Sequence, residues 1–239
     1  MTEEIAESVA ALADDMAVVE RLAAARYTCR GYRPQPVPKV LIHRMLACAQ
    51  RSATWCNTQP WKVIVLEGEA TRRFADALFE HASSDTAVPR PDIDFPGPYV
   101  GVYDERRKDV GKQLYAALGI GKGDRDGSRR QALENFRLFG APHVAIVTTE
   151  RDLGTYGVLD CGFYLGNLLL AAQSLGIATT AQASIARYGD FVKKYFEIPT
   201  NRILLCGVAF GWPDPDHPAN QFRTPRANLN DVVDYRCDA

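Results

Sequence analysis

Six cysteines are spread through the 239 residues without a C-x-x-C pair, and the four histidines (His43, His81, His143, His217) stand far apart in the chain. That pattern signals neither a zinc site nor a disulfide scaffold. No G-x-S-x-G is present, so a serine-hydrolase elbow is not expected. Charge of one sign is missing too: 28 Lys and Arg stand against 29 Asp and Glu, for a formal net charge of −1. With no basic field and no block of like charges, nucleic acid is not an expected partner. Long apolar runs are also lacking. The most apolar stretch, GVLDCGFYLGNLLLAAQSLG, is interrupted by Asp160, Asn167 and Gln173, and is too short and too polar for a membrane span. The opening MTEEIAESVAALADDM is acidic and periodic, without the basic start and apolar core of a signal peptide, which points to the cytoplasm.

What is present suits one large folded unit. With 46% apolar residues the chain can bury a substantial core, and no linker divides it, so residues 1–239 read as a single α+β domain. Ile5, Val9, Leu12, Met16, Val19 and Leu22 recur at steps of three and four, predicting an amphipathic helix over 3–25. A second helix is predicted from Lys39 to Ala49. In WKVIVLEG, Trp61, Val63 and Val65 face one way and Ile64 and Leu66 the other; apolar on both faces, this strand is expected at the centre of a sheet. Helices are predicted near 69–82, 103–118 and 126–139. Between the first two, the proline-rich residues from Ser83 on read as a long loop or lid. HVAIVTT, IATTAQAS and RILLCGVAFG read as strands and DFVKKYF as a short helix. GVLDCGFYLGNLLLAAQSLG is apolar on nearly every side of a helix, which places it inside the protein or at an oligomer interface.

Several candidate sites are weak on their chemistry. GIGKGDRDGS has the glycines of a phosphate loop, but a helix precedes it and Gly123 follows Lys122 where Ser or Thr is needed, so it reads as a helix-to-helix turn. Cys56 has no histidine near it in sequence and reads as a buried structural thiol. The arginines carry more. Arg26 and Arg30 sit in RYTCR, and Arg223 and Arg226 in FRTPR, where guanidinium pairs could clamp a phosphate or simply stand in solvent. In TWCNTQPW, Pro60 should hold Gln59 extended and aim the amides of Asn57 and Gln59, with Trp55 or Trp61 beside them. Amides so placed suit the alternating donors and acceptors of a planar heterocycle; they suit equally well the satisfaction of a loop's own backbone.

Four segments in order resemble the nitroreductase family of FMN-dependent oxidoreductases, covering Arg26 to Tyr235. RYTCRGYRPQPVP resembles the family's opening Arg-x-Ser-x-Arg segment, and SATWCNTQPWKVIVLEG its Pro-Ser-x-x-Asn-x-Gln-Pro-Trp loop and strand. DCGFYLGNLLLAAQSLGIATTAQASIARY resembles the central helix and following turn, and FRTPRANLNDVV the C-terminal phosphate contact. The resemblance implies a central mixed sheet flanked by helices and an intertwined homodimer with two FMN sites, each built from both chains. Arg26, Thr28, Arg30 and Arg226 would hold the phosphate and ribityl chain, with Tyr27 beside them and Arg223 a weaker contact. Thr54, Trp55, Asn57 and Gln59 would border the flavin from the partner subunit. Backbone groups near Ala183 and Ser184 would meet its hydride-accepting nitrogen, and Asn135 would lie beside the ring. Where the family has Pro-Ser, this chain has Ala53-Thr54, and Tyr27-Thr28 replaces Arg or His followed by Ser; each change keeps a hydroxyl. Leu138 stands where some members have a lysine near the pyrimidine edge, and Arg30 is the candidate replacement cation.

The implied activity is transfer of reducing equivalents from NADH or NADPH to nitroaromatics, quinones or similar small planar acceptors by a ping-pong mechanism. FMN carries the chemistry, so no catalytic side chain and no metal are expected. A same-fold dehalogenase or flavin-processing enzyme, and a non-catalytic flavin carrier or sensor, are the alternatives.

Overall fold

The computed structural model describes residues 3–237, and side chains from Asp14 onward. The first helix, α1, runs from Glu3 to Ala25. Ile5, Val9 and Leu12 of the predicted apolar stripe lie outside the described side chains. Of the rest, Met16 and Val19 are exposed and Leu22 is half-buried, so this stripe is not spent on the chain's own core. After α2 (Lys39–Ala49) come β1 (Lys62–Glu67), α3 (Glu69–Ser83), α4 (Val102–Ala117) and α5 (Arg125–Leu133). Then follow β2 (His143–Glu150), α6 (Gly154–Ser174), β3 (Ala178–Gln182), the short α7 (Ala183–Ala186), α8 (Gly189–Tyr195) and β4 (Arg202–Gly211). The first part of GIGKGDRDGS, residues 119–124, forms the turn from α4 to α5, and its last four residues open α5. No helix among the described residues is long and apolar enough to cross a membrane.

The strands form one sheet in the order β1-β2-β4-β3, and every neighbouring pair is antiparallel. This corrects the expected mixed sheet. The segment that could have added a parallel strand, after α1, makes a single parallel bridge, Thr28 to Thr179, among the described residues. β1 is likewise at the edge of this sheet, not its centre. Its two apolar faces are explained by helices on both sides: Ile64 and Leu66 pack into one core cluster, Val63 and Val65 into the other. β2 shows the same two-sided burial in strict alternation. Val144 and Ile146 meet Phe74 and Leu78 of α3 and Ile185 of α7; Ala145 and Val147 meet Met45 of α2 and Leu168 of α6.

Two further departures have local causes. α5 stops at Leu133 instead of near 139, because the Asn135 side chain donates to Ala132 O at 3.0 Å and Leu138 and Phe139 turn left-handed, with φ of 56° and 54°. The proline-rich segment between α3 and α4 is irregular but pinned at Asp92. The Asp92 carboxylate accepts from Leu204 N–H at 2.8 Å, from Arg151 at 3.3 Å and from Lys193. Burial works against its ionised form, but those donors prevail and hold its carboxyl below the usual range. One face of α6 is buried through Asp160, Cys161, Tyr164 and Leu168, while Tyr156, Leu159 and Phe163 on another stand exposed, Phe163 at 49%.

Candidate active site

Behind α1 the chain crosses the end of β3, where Cys29 N–H donates to Thr179 O at 3.1 Å. There Arg26, Tyr27, Thr28 and Arg30 line a cavity of about 230 Å³, together with Arg223, Thr224 and Arg226 from the C-terminal segment. Val110 of α4 and Phe222 add apolar surface. The ends of the chain are joined by Asn220, which is buried. It accepts from Arg30 N–H at 2.8 Å and donates to Gly31 O and Asp214 O, each at 2.9 Å. Only glycine fits at position 31, since a Cβ there would come within 2.2 Å of the His217 ring.

The cations in this cavity lack anionic partners. Among the described residues, no ion pair within 4.0 Å includes Arg26, Arg30, Arg223 or Arg226. Burial, and after it the charge of Arg226, lowers the pKa of the Arg26 guanidinium; burial does the same to Arg30. Arg223 lies over the Tyr27 ring at 3.7 Å and donates to Asn220 O at 2.7 Å. Among the described residues, the hydrogen bonds of Arg226 run only to its own neighbours, Thr224 and Pro225. Converging guanidiniums with spare donors and no carboxylate have the chemistry of a phosphate site.

A second group lies at the other end of β3. Asn135 Oδ1 accepts from Ser184 Oγ at 3.0 Å, and Gln182 Nε2 donates to Asn135 O at 2.7 Å. The structure thus brings Asn135, Ala183 and Ser184 together at the turn from β3 into α7. Gln182 Oε1 is buried without a partner among the described residues. Arg30 reaches toward this group, 5.9 Å from the centre of the Phe139 ring. Leu138, at 0% exposure, presents nothing to a ligand.

Thr54, Trp55, Asn57 and Gln59 form a third group. The loop curls through three left-handed residues, Cys56 (φ 49°), Asn57 (φ 56°) and Gln59 (φ 46°), none of them glycine. For Cys56 and Gln59 this costs roughly 1–2 kcal/mol each, and less for Asn57, whose short amide tolerates the conformation. Gln59 is therefore not extended, despite Pro60. Cys56 is exposed, not buried, because the loop is fastened on its inner side through Trp55 and Thr58, leaving Cys56 outermost. The carboxamides bond one another, Gln59 Nε2 to Asn57 Oδ1 at 3.0 Å, and Gln50, just past the end of α2, donates to Gln59 Oε1 at 3.0 Å. Trp55 packs on Tyr156 at the start of α6, ring centroids 4.9 Å apart. None of the loop's hydrogen bonds or ring contacts among the described residues reaches the arginine cavity.

Four residues at these groups were not singled out from sequence: Asn220, Gln182, Asp160 and Arg202. Asp160 carried a signal, as the one acid within the apolar stretch of α6. Asn220, Gln182 and Arg202 carried none, since each works through partners distant in sequence.

The sequence pattern of the Nitroreductase family matches residues 23–212. Nitroreductase NfnB of Mycolicibacterium smegmatis is 36% identical over 219 residues, covering 90% of this chain and 92% of that protein. The 4-nitrobenzoate reductase of Pseudomonas putida is 33% identical, covering 91% of this chain and 94% of its own. Among solved structures, the FMN-dependent nitroreductase NfnB from Mycobacterium smegmatis in complex with NADPH superposes with a TM-score of 0.85 at 35% identity, covering 92% of this chain and 99% of that one. With a fold, an arginine cavity and a matching sequence pattern that agree, the chain belongs to the nitroreductase family.

Proposed function

We propose that this chain, as a single domain, is an FMN-dependent oxidoreductase that passes reducing equivalents from NAD(P)H to nitroaromatics, quinones or similar planar acceptors. The observation that carries this reading is the cavity in which Arg26, Arg30, Arg223 and Arg226 converge without a carboxylate. Relatives named for reduction of nitroaromatic acids and for FMN and NADPH support it.

FMN, when bound, supplies the hydride and electron chemistry. Arg26, Arg30 and Arg226 would hold its phosphate by charge-assisted hydrogen bonds, and the Thr28 hydroxyl its ribityl chain. Asn135 would sit beside the ring, oriented by the Ser184 hydroxyl and Gln182 amide. Backbone groups of Ala183 and Ser184 would serve the reactive edge. The exposed apolar residues of α6, with Met16 and Val19 of α1, suit a homodimer interface; such a dimer would bring Thr54, Trp55, Asn57 and Gln59 to the partner's cavity. Nicotinamide and acceptor are both planar and would compete for the same place beside FMN, so they would bind in turn and the kinetics would be ping-pong.

The test is an absorption spectrum of the purified protein followed by anaerobic mixing with NADPH and NADH. The reading expects two flavin bands that bleach, and a reduced enzyme that, freed of nicotinamide, still reduces one equivalent of a quinone. Double-reciprocal lines should be parallel. Flavin bands that persist with both nucleotides would leave a carrier; intersecting lines and an inert reduced enzyme would require a ternary complex.

A further inference from the structure

The 54–60 loop holds three left-handed non-glycine residues on the protein surface, and its internal amide bonds are exposed to competing water. Something buried has to keep it in that shape. Two side chains do so, one at each end. Asp160, 3% exposed on α6, accepts the Trp55 N–H with both oxygens, at 3.1 and 3.2 Å, and the Thr58 hydroxyl at 3.3 Å. Among the described residues, all of its hydrogen bonds run to the loop, and it has no cation within 4.0 Å. A carboxylate kept inside an apolar helix for packing alone would be paired with a cation. At the other end Arg202, whose side chain is 13% exposed, donates to Pro60 O at 2.8 Å. The same guanidinium is fixed by Thr148 Oγ1 at 2.8 Å, Thr148 O at 3.0 Å and Glu150 at 3.4 Å. The loop is therefore clamped between the central helix and the sheet, with the residues between the clamps in a conformation that free chain rejects.

We propose that Asp160 and Arg202 are positioning residues that hold the loop's left-handed turn, and with it Trp55, Asn57 and Gln59, ready for the flavin and its acceptor. The proposal rests on the reading that this loop borders FMN. Neither residue touches cofactor or substrate; both act through the loop backbone, so their loss is felt as disorder in groups that must be in place before binding.

The experiment compares Asp160→Ala, Asp160→Asn, Thr58→Val and Arg202→Lys with the parent holoenzyme. It measures FMN affinity by fluorescence titration, visible circular dichroism of the bound flavin, kcat and KM with NADPH and a nitroaromatic, and thermal midpoint. Asp160→Ala should weaken FMN about 10-fold and change the flavin dichroism. Asp160→Asn, which keeps one acceptor oxygen, should recover part of the loss. Thr58→Val removes one donor at nearly constant volume and should shift affinity and dichroism in the same direction with its midpoint held. Lowered midpoints with parental FMN affinity, dichroism and turnover would mean a purely structural role and overturn the proposal. If Asp160→Ala does not fold, Thr58→Val and Arg202→Lys decide by the same readouts. Asn57→Ala separates the two levels. Parental flavin affinity in Asn57→Ala removes the reading that the loop meets FMN; weakened affinity there with unaltered clamp variants removes the proposal alone.

Discussion

The arginine cavity and the carboxamide loop are built by opposite means. In the cavity, unpaired cations are gathered on backbone held by a neutral amide, Asn220, and by the close approach at Gly31. In the loop, neutral amides are displayed on strained backbone clamped by an acid and a base, Asp160 and Arg202. If the cavity is to meet an anion, its supports must leave its charge uncompensated, as neutral Asn220 does. If the loop is to meet a ligand's edge with amides, charge can stand behind it, as Asp160 and Arg202 do. The cavity is also closed within one chain, from residues near both termini, whereas the loop faces outward.

That contrast yields predictions of decreasing size. Arg226, whose hydrogen bonds among the described residues run only to its neighbours, has donors left for phosphate. A hydrogen bond to a charged group is worth about 1.5–3 kcal/mol, so Arg226→Ala should weaken FMN roughly 10- to 150-fold in a titration. Unchanged affinity would mean the C-terminal arginines do not bind phosphate. Gly31→Ala should destabilise the fold by about 1–3 kcal/mol through its clash with the Cβ and Cγ of His217; His217→Gly in the same chain, which removes both atoms, should restore part of the thermal midpoint. A Gly31→Ala midpoint equal to the parent's would show that the close approach does not hold the cavity's wall.

Arg223 already stacks on Tyr27 and donates to Asn220 O and Phe222 O, which leaves it a weak, partly exposed contact with phosphate, so Arg223→Ala should weaken FMN only roughly 2- to 5-fold. An effect as large as that of Arg226 would make the two arginines equal phosphate ligands. The loop should respond in the other direction. Cys56→Gly relieves a left-handed turn at some cost in chain entropy, a net gain of roughly 0–1 kcal/mol in denaturant unfolding. A clear loss of stability would mean the turn is not strained.

The smallest effect is one of pH. His143 Nε2 accepts the Val37 N–H at 2.9 Å at the entry to α2, and burial lowers the imidazole pKa against the weaker opposing pull of Leu66 O and Glu67. The unfolded chain therefore takes up this proton first. His143's contribution is fully present above its unfolded pKa, about 6.5, and is lost as pH falls below that through the folded value. His143→Gln should flatten that part of the stability profile; an unchanged slope would assign it to other groups.

Much of this was legible in the sequence, and what was not has a physical reason. β4 was legible from RILLCGVAFG, because burial on both faces leaves a local mark; the arginine pairs of RYTCR and FRTPR left phosphate clamp and solvent both open, and only the resemblance joined them. The edge position of β1 left none: helices on both sides make an edge strand as apolar as a central one. Cys56 was misplaced because a left-handed turn outside glycine follows from distant fastening, here Asp160, 105 residues from Trp55. Arg202 reaches Pro60 across 142 residues and Asn220 reaches Arg30 across 190, separations at which spacing carries no signal.

The central claim is that each FMN site joins the cavity of one subunit to the loop of its partner. It is tested most directly by a dimer assembled from two defective chains, one carrying Arg226→Ala and the other Asn57→Ala with Gln59→Ala, purified through two different tags. If the halves come from different subunits, one site of this dimer collects both lesions and the other none. A titration should then find one FMN bound with parental affinity per dimer, although neither homodimer binds so tightly. If cavity and loop of the same subunit make the site, each site carries one lesion, and no parental-affinity FMN will be found.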